Sequence, residues 1–387
     1  MKISEKNIFL AKEALDYHKK LNGKIGVFSK APLKSMEDLK LCYTPGVATV
    51  SSYLALHKDE VKKYTIKKNA VAVVSDGSAV LGLGNIGVEG ALPVMEGKAM
   101  IFKEFANIDA FPIVLDTQNV DEIITTIKHI APVFGAINLE DISAPRCFEI
   151  EKRLQDMLDI FVMHDDQHAT AIVVLAGLMN AFLVAKKDLR NSAVAVIGAG
   201  SAGSAVTKLL YAYGVRNIIV VDTKGILSKC RGGMLPHQEE LANITNEACK
   251  EGSLEDALIG VDAVVGLSAP NIIKPEFIKT MNERPIVFAL ANPEPEIMPD
   301  IAKKAGVFII ATGRSDFENQ VNNALVFPGI FRGALDNNIK KITEEIKITA
   351  AQKLSGIIKN PKPDNIIPSI FDSSVVKEVA SSFNKLD

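Results

Sequence analysis

The sequence predicts an α/β protein built from two domains, and three observations lead to this fold class. The chain has 387 residues, 48% of them hydrophobic, which is more than one ordinary hydrophobic core accommodates. Short apolar runs typical of buried strands alternate with segments of helical spacing over most of the chain. A glycine-rich turn directly after one of these runs is typical of a Rossmann-type parallel sheet. We therefore expect such a sheet in the C-terminal half, preceded by a separate α/β domain to which the C-terminal helices return.

Charge and composition exclude several classes of protein. The net charge is −2 and no long basic run occurs, so neither nucleic acid nor a membrane is an expected partner. The four cysteines are scattered, which favours free thiols in a reducing compartment over a disulfide or zinc framework. The N-terminus has no apolar signal core, and the longest apolar run, 172–185, is too short to span a bilayer. These features predict a soluble cytoplasmic protein.

The first part of the chain is predicted to lead into a turn beside Tyr43. Residues 5–20 have the spacing of an amphipathic helix, of the kind that packs on the protein body or on a partner subunit. Pro45-Gly46 is a strong turn signal, which places Tyr43 at the end of an extended piece. By itself this pattern favours an ordinary half-buried tyrosine with a bonded hydroxyl over a functional one.

A buried strand predicted at 71–74 runs into a segment that contains Gly82, Gly84 and Gly87. Their spacing matches Gly-x-Gly-x-x-Gly, but we expect neither the proper strand before it nor a clean helix after it. The glycines are therefore interpreted as allowing close approach of the backbone to a ligand rather than as a dinucleotide site.

Lys98 lies in an apolar helix predicted over 93–105. A desolvated lysine near a metal has a lowered pKa and can act as a base. A lysine at a helix start can equally extend its ammonium group to solvent. The local sequence leaves both interpretations open.

Two acidic pairs each follow an apolar run that predicts a buried strand, Glu140-Asp141 after 133–139 and Asp165-Asp166 after 160–163. Acids at such positions are costly unless something positive neutralises them. Glu140, Asp141 and Asp166 would supply the hard oxygen ligands that Mg²⁺ or Mn²⁺ takes, although one of Asp165 and Asp166 can instead cap the next helix. The other elements predicted here are a strand at 113–115 and helices at 120–130, 143–157 and 167–186.

The strongest local motif opens the second domain. A strand predicted at 193–197 leads at once into a glycine-rich turn, a helix at 204–213 and a second strand that ends at Asp222. The glycines allow a tight turn and close approach of a pyrophosphate, and the acid binds the ribose. A purely structural glycine-rich turn is the alternative. The residues predicted to bind the nucleotide are Gly198, Ala199, Gly200, Ser201, Ala202, Gly203 and Asp222.

Polar loops follow further strands predicted at 263–265, 286–289 and 307–310. Because the carboxyl ends of parallel strands form the ligand crevice, Asn292 is a candidate contact at its mouth, with simple turn chemistry as the alternative. Asn323, the second of two adjacent amides, either binds a carboxylate or helps to begin a turn.

The predicted domain boundaries follow from this order of elements. Residues 1–164 form a catalytic and metal-binding domain, and 165–323 form the nucleotide-binding domain. Residues 324–387 are expected to complete the first domain, and the segment 334–387, which looks helical and polar-faced, is expected to pack back on it.

Taken together, these segments resemble the malic enzyme family in its short prokaryotic form. The resemblance spans residues 43–329 in the order of the family. It implies an α/β enzyme that converts L-malate to pyruvate and CO₂ with NAD or NADP and Mg²⁺ or Mn²⁺, and it suggests a homodimer. The matching segments are Tyr43–Ala48, Asp76-Gly77, Leu81–Asn85, Glu96–Lys98, Glu140-Asp141, Asp165–Gln167, Gly198–Gly203, Asn292-Pro293 and Asn322-Asn323.

The resemblance also implies roles for single residues. Lys98 matches the general base, Tyr43 the proton donor and Asp165 the carboxylate beside the lysine. The implied metal ligands are Glu140, Asp141 and Asp166, and the implied substrate amides are Asn292 and Asn323. The long form of the family has an arginine that clamps a malate carboxylate, where this chain has Ser78-Ala79.

The choice of cofactor is open between two nucleotides. Asp222 favours NAD because it repels a 2′-phosphate, whereas Lys224 could pair with that phosphate. We expect NAD, with NADP as the alternative. The competing functions are a metal-independent dehydrogenase of the amino-acid type, an NAD-binding redox sensor without turnover, and an enzyme that only decarboxylates oxaloacetate.

Overall fold

The computed structural model describes residues 5–80 and 82–384, with side chains from residue 11 onward. Two separate sheets carry the fold, which confirms the predicted α/β class. The strands are β1 (Ala70–Ser75), β2 (Asp109–Val114), β3 (Ala136–Leu139), β4 (Phe161–His164), β5 (Ala193–Ile197), β6 (Asn217–Asp222), β7 (Gly225–Ile226), β8 (Ala263–Gly266), β9 (Ile286–Ala289) and β10 (Ile309–Thr312).

The strand orders are β2-β1-β3-β4 in the first sheet and β10-β9-β8-β5-β6-β7 in the second. All the paired strands run parallel except the short β7, which pairs antiparallel with β6. In both sheets the chain reverses its winding direction between neighbouring strands, at β1/β3 and at β5/β8. Ligands of open α/β sheets bind at such reversal points, beside the carboxyl ends of the strands.

Helices cover the sheets and join them. The α-helices are α1 (Glu5–Leu21), α2 (Met36–Cys42), α3 (Gly46–Leu56), α4 (Val61–Tyr64), α5 (Gly87–Ala106), α6 (Val120–Ile130), α7 (Arg146–Met157), α8 (Asp165–Ala185), α9 (Ser201–Tyr213), α10 (Pro236–Ile244), α11 (Leu254–Leu258), α12 (Pro275–Ile278), α13 (Pro299–Lys304), α14 (Phe327–Asn337), α15 (Glu344–Ser355) and α16 (Val375–Ala380). Short 3₁₀ helices occur at Lys58–Glu60, Ile66–Lys68, Ala131–Val133, Leu189–Asn191, Asn323–Leu325 and Ser381–Phe383.

The glycine segment before α5 differs from the prediction. The helix begins at Gly87 rather than at Pro93, so a clean helix does follow the glycines. A Cβ atom at Gly82 would lie 2.0 Å from the carbonyl oxygen of Asn292. This glycine therefore lets the first domain's loop touch the loop after β9, a contact that no side chain would permit.

Helix α8 connects the two sheets and lies in the core. By length and composition it could cross a membrane, but 72% of its most apolar stretch is buried inside the protein. Its buried amide in the apolar middle, Asn180, donates hydrogen bonds to the carbonyls of Ser355 and Ile366 at 3.0 and 2.9 Å. Because these bonds satisfy the polar group, an asparagine is tolerated in an otherwise apolar helix.

The C-terminal helices pack against the first sheet and α8. Phe327 and Phe331 of α14 meet Phe102 of α5 edge to face, with ring centroids 4.7 and 5.1 Å apart. Phe331 also meets Phe161 of β4 at 5.2 Å. Phe327 and Phe331 precede the segment 334–387 that was predicted to be polar-faced, and their apolar side chains fill the core. The domain boundaries after residues 164 and 323 remain a prediction.

Helices α2, α3 and α4 behave differently, because all their side chains are described and none is buried. Their apolar side chains face solvent in this single chain, with exposed fractions of 69% for Leu41 and 83% for Leu56. Exposed apolar side chains grouped on neighbouring helices are typical of a protein interaction surface.

The expectation of four free thiols is wrong for Cys230 and Cys249, which form a disulfide with their Cα atoms 6.0 Å apart. The 19-residue separation gives no recognisable motif. Asn246 brings the two ends of the segment together by donating hydrogen bonds to the carbonyls of Leu227 and Lys250. Cys42 and Cys147 are free, the first exposed and the second buried.

Candidate active site

The three predicted metal ligands lie together at the end of the first sheet. Strands β3 and β4 are parallel neighbours, so the acids that follow them share one edge of the sheet. Glu140, Asp141 and Asp166 each place one oxygen within 4.8 Å of the others. Asp141 has a left-handed backbone with φ of 53°, and its N–H donates to Asp166 Oδ2 at 2.9 Å. This bend in the chain brings the carboxylates of Glu140 and Asp141 toward Asp166.

The donor set fits a hard divalent cation. Mg²⁺ binds oxygen at about 2.1 Å, so two oxygens on opposite sides of one ion are about 4.2 Å apart. Oxygens within 4.8 Å of each other reach this spacing by small side-chain rotations. The three ligands are carboxylates, as Mg²⁺ and Mn²⁺ prefer, and neither histidine nor cysteine belongs to the set.

Lys98 reaches this cluster from α5 and is almost fully buried, with 9% of its side chain exposed. Its Nζ lies 2.9 Å from Glu140 Oε1 and 2.6 Å from Asp165 Oδ2, and 4.3 Å from the centre of the Phe327 ring. Asn323 donates to the same Asp165 oxygen at 2.5 Å. The structure thus brings together the predicted lysine, its carboxylate and one of the predicted amides. A solvent-exposed lysine at a helix start is excluded.

Burial and the charges of neighbouring groups shift the pKa values of these residues in opposite directions. Burial raises the pKa of Glu140 well above its usual value, although the nearby Lys98 ammonium acts in the other direction. Burial likewise raises the pKa of Asp165. Burial alone would lower the pKa of Lys98, but Asp165 and then Glu140 outweigh it and raise that pKa. The carboxylates by themselves therefore raise the pKa of Lys98, and the lowered pKa expected for a lysine beside a metal stays a prediction.

A cavity of about 270 Å³ connects the acids with the second sheet. Asp141 and Asp166 form part of one wall, and residues of the glycine-rich turn and of the loops after β8 and β9 form the opposite wall. The cavity lies where the carboxyl ends of both sheets meet, as expected of a two-domain α/β protein. Its other lining residues include Ala79, Gly82, Thr170, Ser201, Ala202, Ser268, Asn292, Asn322 and Asn323.

The glycine-rich turn has the shape that a pyrophosphate site needs. Gly198 has φ of +108°, and a Cβ atom at Gly203 would lie 1.9 Å from the Gly198 carbonyl oxygen. Around Gly200, by contrast, a Cβ atom would meet nothing within 4 Å, which leaves room for a ligand. Helix α9 begins at Ser201, so its unpaired N–H groups and positive dipole end face this space.

Asp222 lies at the end of β6, as predicted, but its partner was missed. Arg231 pairs with both carboxylate oxygens, Nη1 with Oδ1 at 2.9 Å and Nη2 with Oδ2 at 2.6 Å. Burial alone would raise the pKa of Asp222, yet the hydrogen bonds from Arg231 keep it below the usual value. Nothing in the local sequence indicates this pair, because Arg231 lies in an irregular loop beyond the short β7.

Tyr43 is not brought to the cavity of its own chain. It ends helix α2 rather than an extended piece, its side chain is 66% exposed, and it is absent from the described lining. Asn292 does line the cavity, and its amide donates to the Leu290 carbonyl at 3.3 Å.

Glu296 is a site residue that sequence reasoning missed. It is fully buried, and its two oxygens accept the N–H groups of Ser268 at 2.9 Å and Ala291 at 3.0 Å. Burial raises its pKa in spite of these bonds. Its carboxylate thereby fixes the loops after β8 and β9 against each other. The signal available in the sequence was an acid three residues beyond Pro293, directly before the apolar pair Ile297-Met298.

The fold and this cleft define a class of protein, a two-domain α/β oxidoreductase with a nucleotide site opposite an acidic pocket. Family models match nearly the whole chain, the malic enzyme N-terminal domain at residues 22–155 and the malic enzyme NAD binding domain at 168–385. The chain belongs to the malic enzyme family.

Individual relatives agree with this assignment. The chain is 54% identical over 361 residues to the NAD-dependent malic enzyme of Geobacillus stearothermophilus, covering 93% of this chain and 75% of the relative. It is 48% identical over 379 residues to the bifunctional malic/malolactic enzyme of Bacillus subtilis, covering 97% and 92%. The crystal structure of the NAD-dependent malic enzyme from Thermotoga maritima superposes with a TM-score of 0.92 at 48% identity, covering 96% of this chain and 98% of that one.

Proposed function

We propose that this protein oxidatively decarboxylates L-malate to pyruvate and CO₂ with a nicotinamide nucleotide and Mg²⁺ or Mn²⁺, in the cytoplasm. The observation that carries the proposal is the shared cavity, which joins the acidic pocket beside Lys98 to the glycine-rich turn. Malate oxidation needs a base, a site for two carboxylates and a hydride acceptor within one small space. The family membership supports this reaction, and the relatives offer no support for the competing functions.

Glu140, Asp141 and Asp166 would hold the metal, since their oxygens already lie within 4.8 Å of one another. A bound dication would polarise the malate C2 oxygen, stabilise negative charge that develops there and offset the carboxylates that raise the pKa of Lys98. Asp166, with 27% of its side chain exposed, faces the cavity, and Glu140 is held by a 2.8 Å hydrogen bond from Asn138.

Lys98 is placed to move the hydroxyl proton. In its neutral form it accepts the proton of the C2 hydroxyl while the C2 hydride passes to the nicotinamide. Asp165, 2.6 Å away, is the group to which Lys98 gives up its own proton beforehand. Asn323 orients Asp165 through its amide.

The steps that follow break the C3–C4 bond, release CO₂ and protonate C3. We infer that Asn292 and Asn323, both at the cavity wall, contact the substrate. Tyr43 remains our candidate for the donor of the C3 proton. In its own chain the side chain faces solvent, so this role depends on a second copy of the protein.

We also infer a homodimer in which the exposed surface of α2 and α3 is covered by another copy. These helices bury none of their residues within the chain, and apolar side chains such as Leu41 and Leu56 are largely exposed. Twofold homodimers are the commonest closed assembly of soluble proteins.

The proposed reaction is tested by malate-dependent NADH formation with and without Mn²⁺. We expect turnover with Mn²⁺, loss of turnover with a chelator, and recovery when Mn²⁺ is returned. Turnover that survives the chelator would favour a metal-independent dehydrogenase. NADH binding without any turnover would favour a nucleotide sensor.

A further inference from the structure

The carboxylate of Asp222 has no vacant acceptor position. Oδ1 accepts from Arg231 Nη1 at 2.9 Å and from the backbone N–H of Lys224 at 2.8 Å. Oδ2 accepts from Arg231 Nη2 at 2.6 Å and from the Gln238 amide at 3.2 Å. A carboxylate offers about four such positions, so a ribose hydroxyl must displace a donor in order to bond this acid.

The guanidinium of Arg231 is held in place, and not all of its N–H groups are used in hydrogen bonds within the described residues. Only 19% of its side chain is exposed, and Nη1 also approaches the carbonyls of Gly225 and Ile226 at 3.2 and 3.4 Å. Its buried Nε has no hydrogen-bond partner among the described residues. The adjacent Cys230 is bonded to Cys249, which ties the loop that carries Arg231 to the end of the segment after α10. A planar guanidinium fixed in this way is suited to bidentate binding of a phosphate.

The pair changes what the acid does to the nucleotide. An ionised acid alone at the end of the second Rossmann strand repels a 2′-phosphate and selects NAD. Here the two charges cancel, and they lie beside the ribose position that this strand end defines. Lys224, the other cation nearby, donates its backbone N–H to Asp222, and its side chain is exposed.

We propose that Arg231 is the residue that determines cofactor choice, remaining on Asp222 when NAD binds and taking the 2′-phosphate when NADP binds. The proposal rests on the nucleotide site of the proposed function but not on malate chemistry. It implies that the protein binds both nucleotides, and that Asp222 and Arg231 influence their ratio in opposite directions.

The test measures dissociation constants of NADH and NADPH by fluorescence titration, without malate or metal. For Arg231→Gln we expect NADPH affinity to fall on the order of tenfold to a hundredfold, as for loss of hydrogen bonds to a charged group, with NADH affinity changed much less. For Asp222→Asn, which frees the guanidinium and removes the repelling charge, we expect the ratio of NADPH to NADH affinity to rise. Arg231→Lys, which keeps the charge but loses the fork, should give an intermediate NADPH affinity.

Matched variants separate this role from simple charge loss. Lys229→Gln removes one positive charge from the same loop at an exposed position and should leave the affinity ratio unchanged. Lys224→Gln tests the other cation near Asp222. Equal losses of both nucleotides in Arg231→Gln, or selective loss of NADPH in Lys224→Gln alone, would overturn the proposal. If Arg231→Gln does not fold, an unchanged or lowered ratio in Asp222→Asn overturns it instead. Loss of malate turnover with these ratios intact would bear only on the proposed reaction.

Discussion

Lys98 shows how far a single residue's environment departs from its sequence neighbours. The flanking residues suggested an apolar helix start, yet the contacts that set its charge are Glu140, Asp165 and the Phe327 ring. These groups come from distant parts of the chain, so the direction of the pKa shift was not predictable. The ligand set of Glu140, Asp141 and Asp166 could be predicted, because acids after neighbouring parallel strands must share an edge.

Replacement of Lys98 by alanine tests its place in the chemistry. We expect Lys98→Ala to lose malate oxidation by at least a factor of about a hundred, which is typical for removal of a general base. NADH binding should stay near the wild-type value, since Lys98 contacts Glu140 and Asp165 and is not among the residues that line the cavity with the glycine-rich turn. Steady-state turnover and NADH titration measure the two quantities. Near-native turnover would rule out Lys98 as the base.

At the scale of elements, prediction succeeded where periodicity and turn chemistry agree. The helix at Val120–Ile130 and the strands at Ala193–Ile197 and Ile286–Ala289 have the predicted bounds. The predicted bounds were wrong where tertiary contacts determine them. One case is the start of α5, because Gly87 begins that helix with φ of +75°. The contacts of Glu296 with two separate loops could not be predicted from the sequence either, since they depend on β8 and β9 being neighbours.

Removal of the Glu296 carboxylate should loosen both of these loops. In Glu296→Ala the N–H groups of Ser268 and Ala291 lose their acceptor, at a cost of about 1–3 kcal/mol for each unpaired buried group. We expect weaker NADH binding and a lower urea midpoint. Glu296→Gln keeps one oxygen acceptor and should fall between the two. An alanine variant that matches the wild type in both measurements would show that the loops do not depend on this contact.

At the scale of the whole molecule, the sequence predicted the two sheets, whereas the homodimer that the resemblance implies stays a prediction. The alternation of strands and helices predicted two α/β units, and the glycine-rich turn located the second. The sequence of α2 and α3 did not show that these helices stay on the outside of the chain. An amphipathic pattern indicates that the apolar face of a helix is covered, but it does not indicate whether the same chain or another chain covers that face.

A charge placed on this outer surface should separate the proposed dimer. We expect Leu41→Glu to shift the protein from dimer toward monomer in light scattering, because a buried unpaired carboxylate is costly at an interface. Malate turnover should fall together with the dimer fraction, while NADH binding persists. Ile259→Glu, at an apolar side chain that is 53% exposed in the nucleotide-binding half, is the matched control and should stay dimeric. A wild type that is monomeric and active at micromolar concentration would contradict the assembly.

Helix α8 links the chemistry to a distant part of the chain. Its first turn carries Asp165 and Asp166, and Asn180, about 22 Å further along the axis, is bonded to Ser355 and Ile366. Limited proteolysis that cleaves the chain between Ser355 and Ile366 would therefore free the C-terminal end of α8, the helix that positions Asp165 and Asp166. We expect the cleaved protein to lose malate turnover before it unfolds. Its parallel sheets would remain, but Asp165 and Asp166 would no longer be held in position.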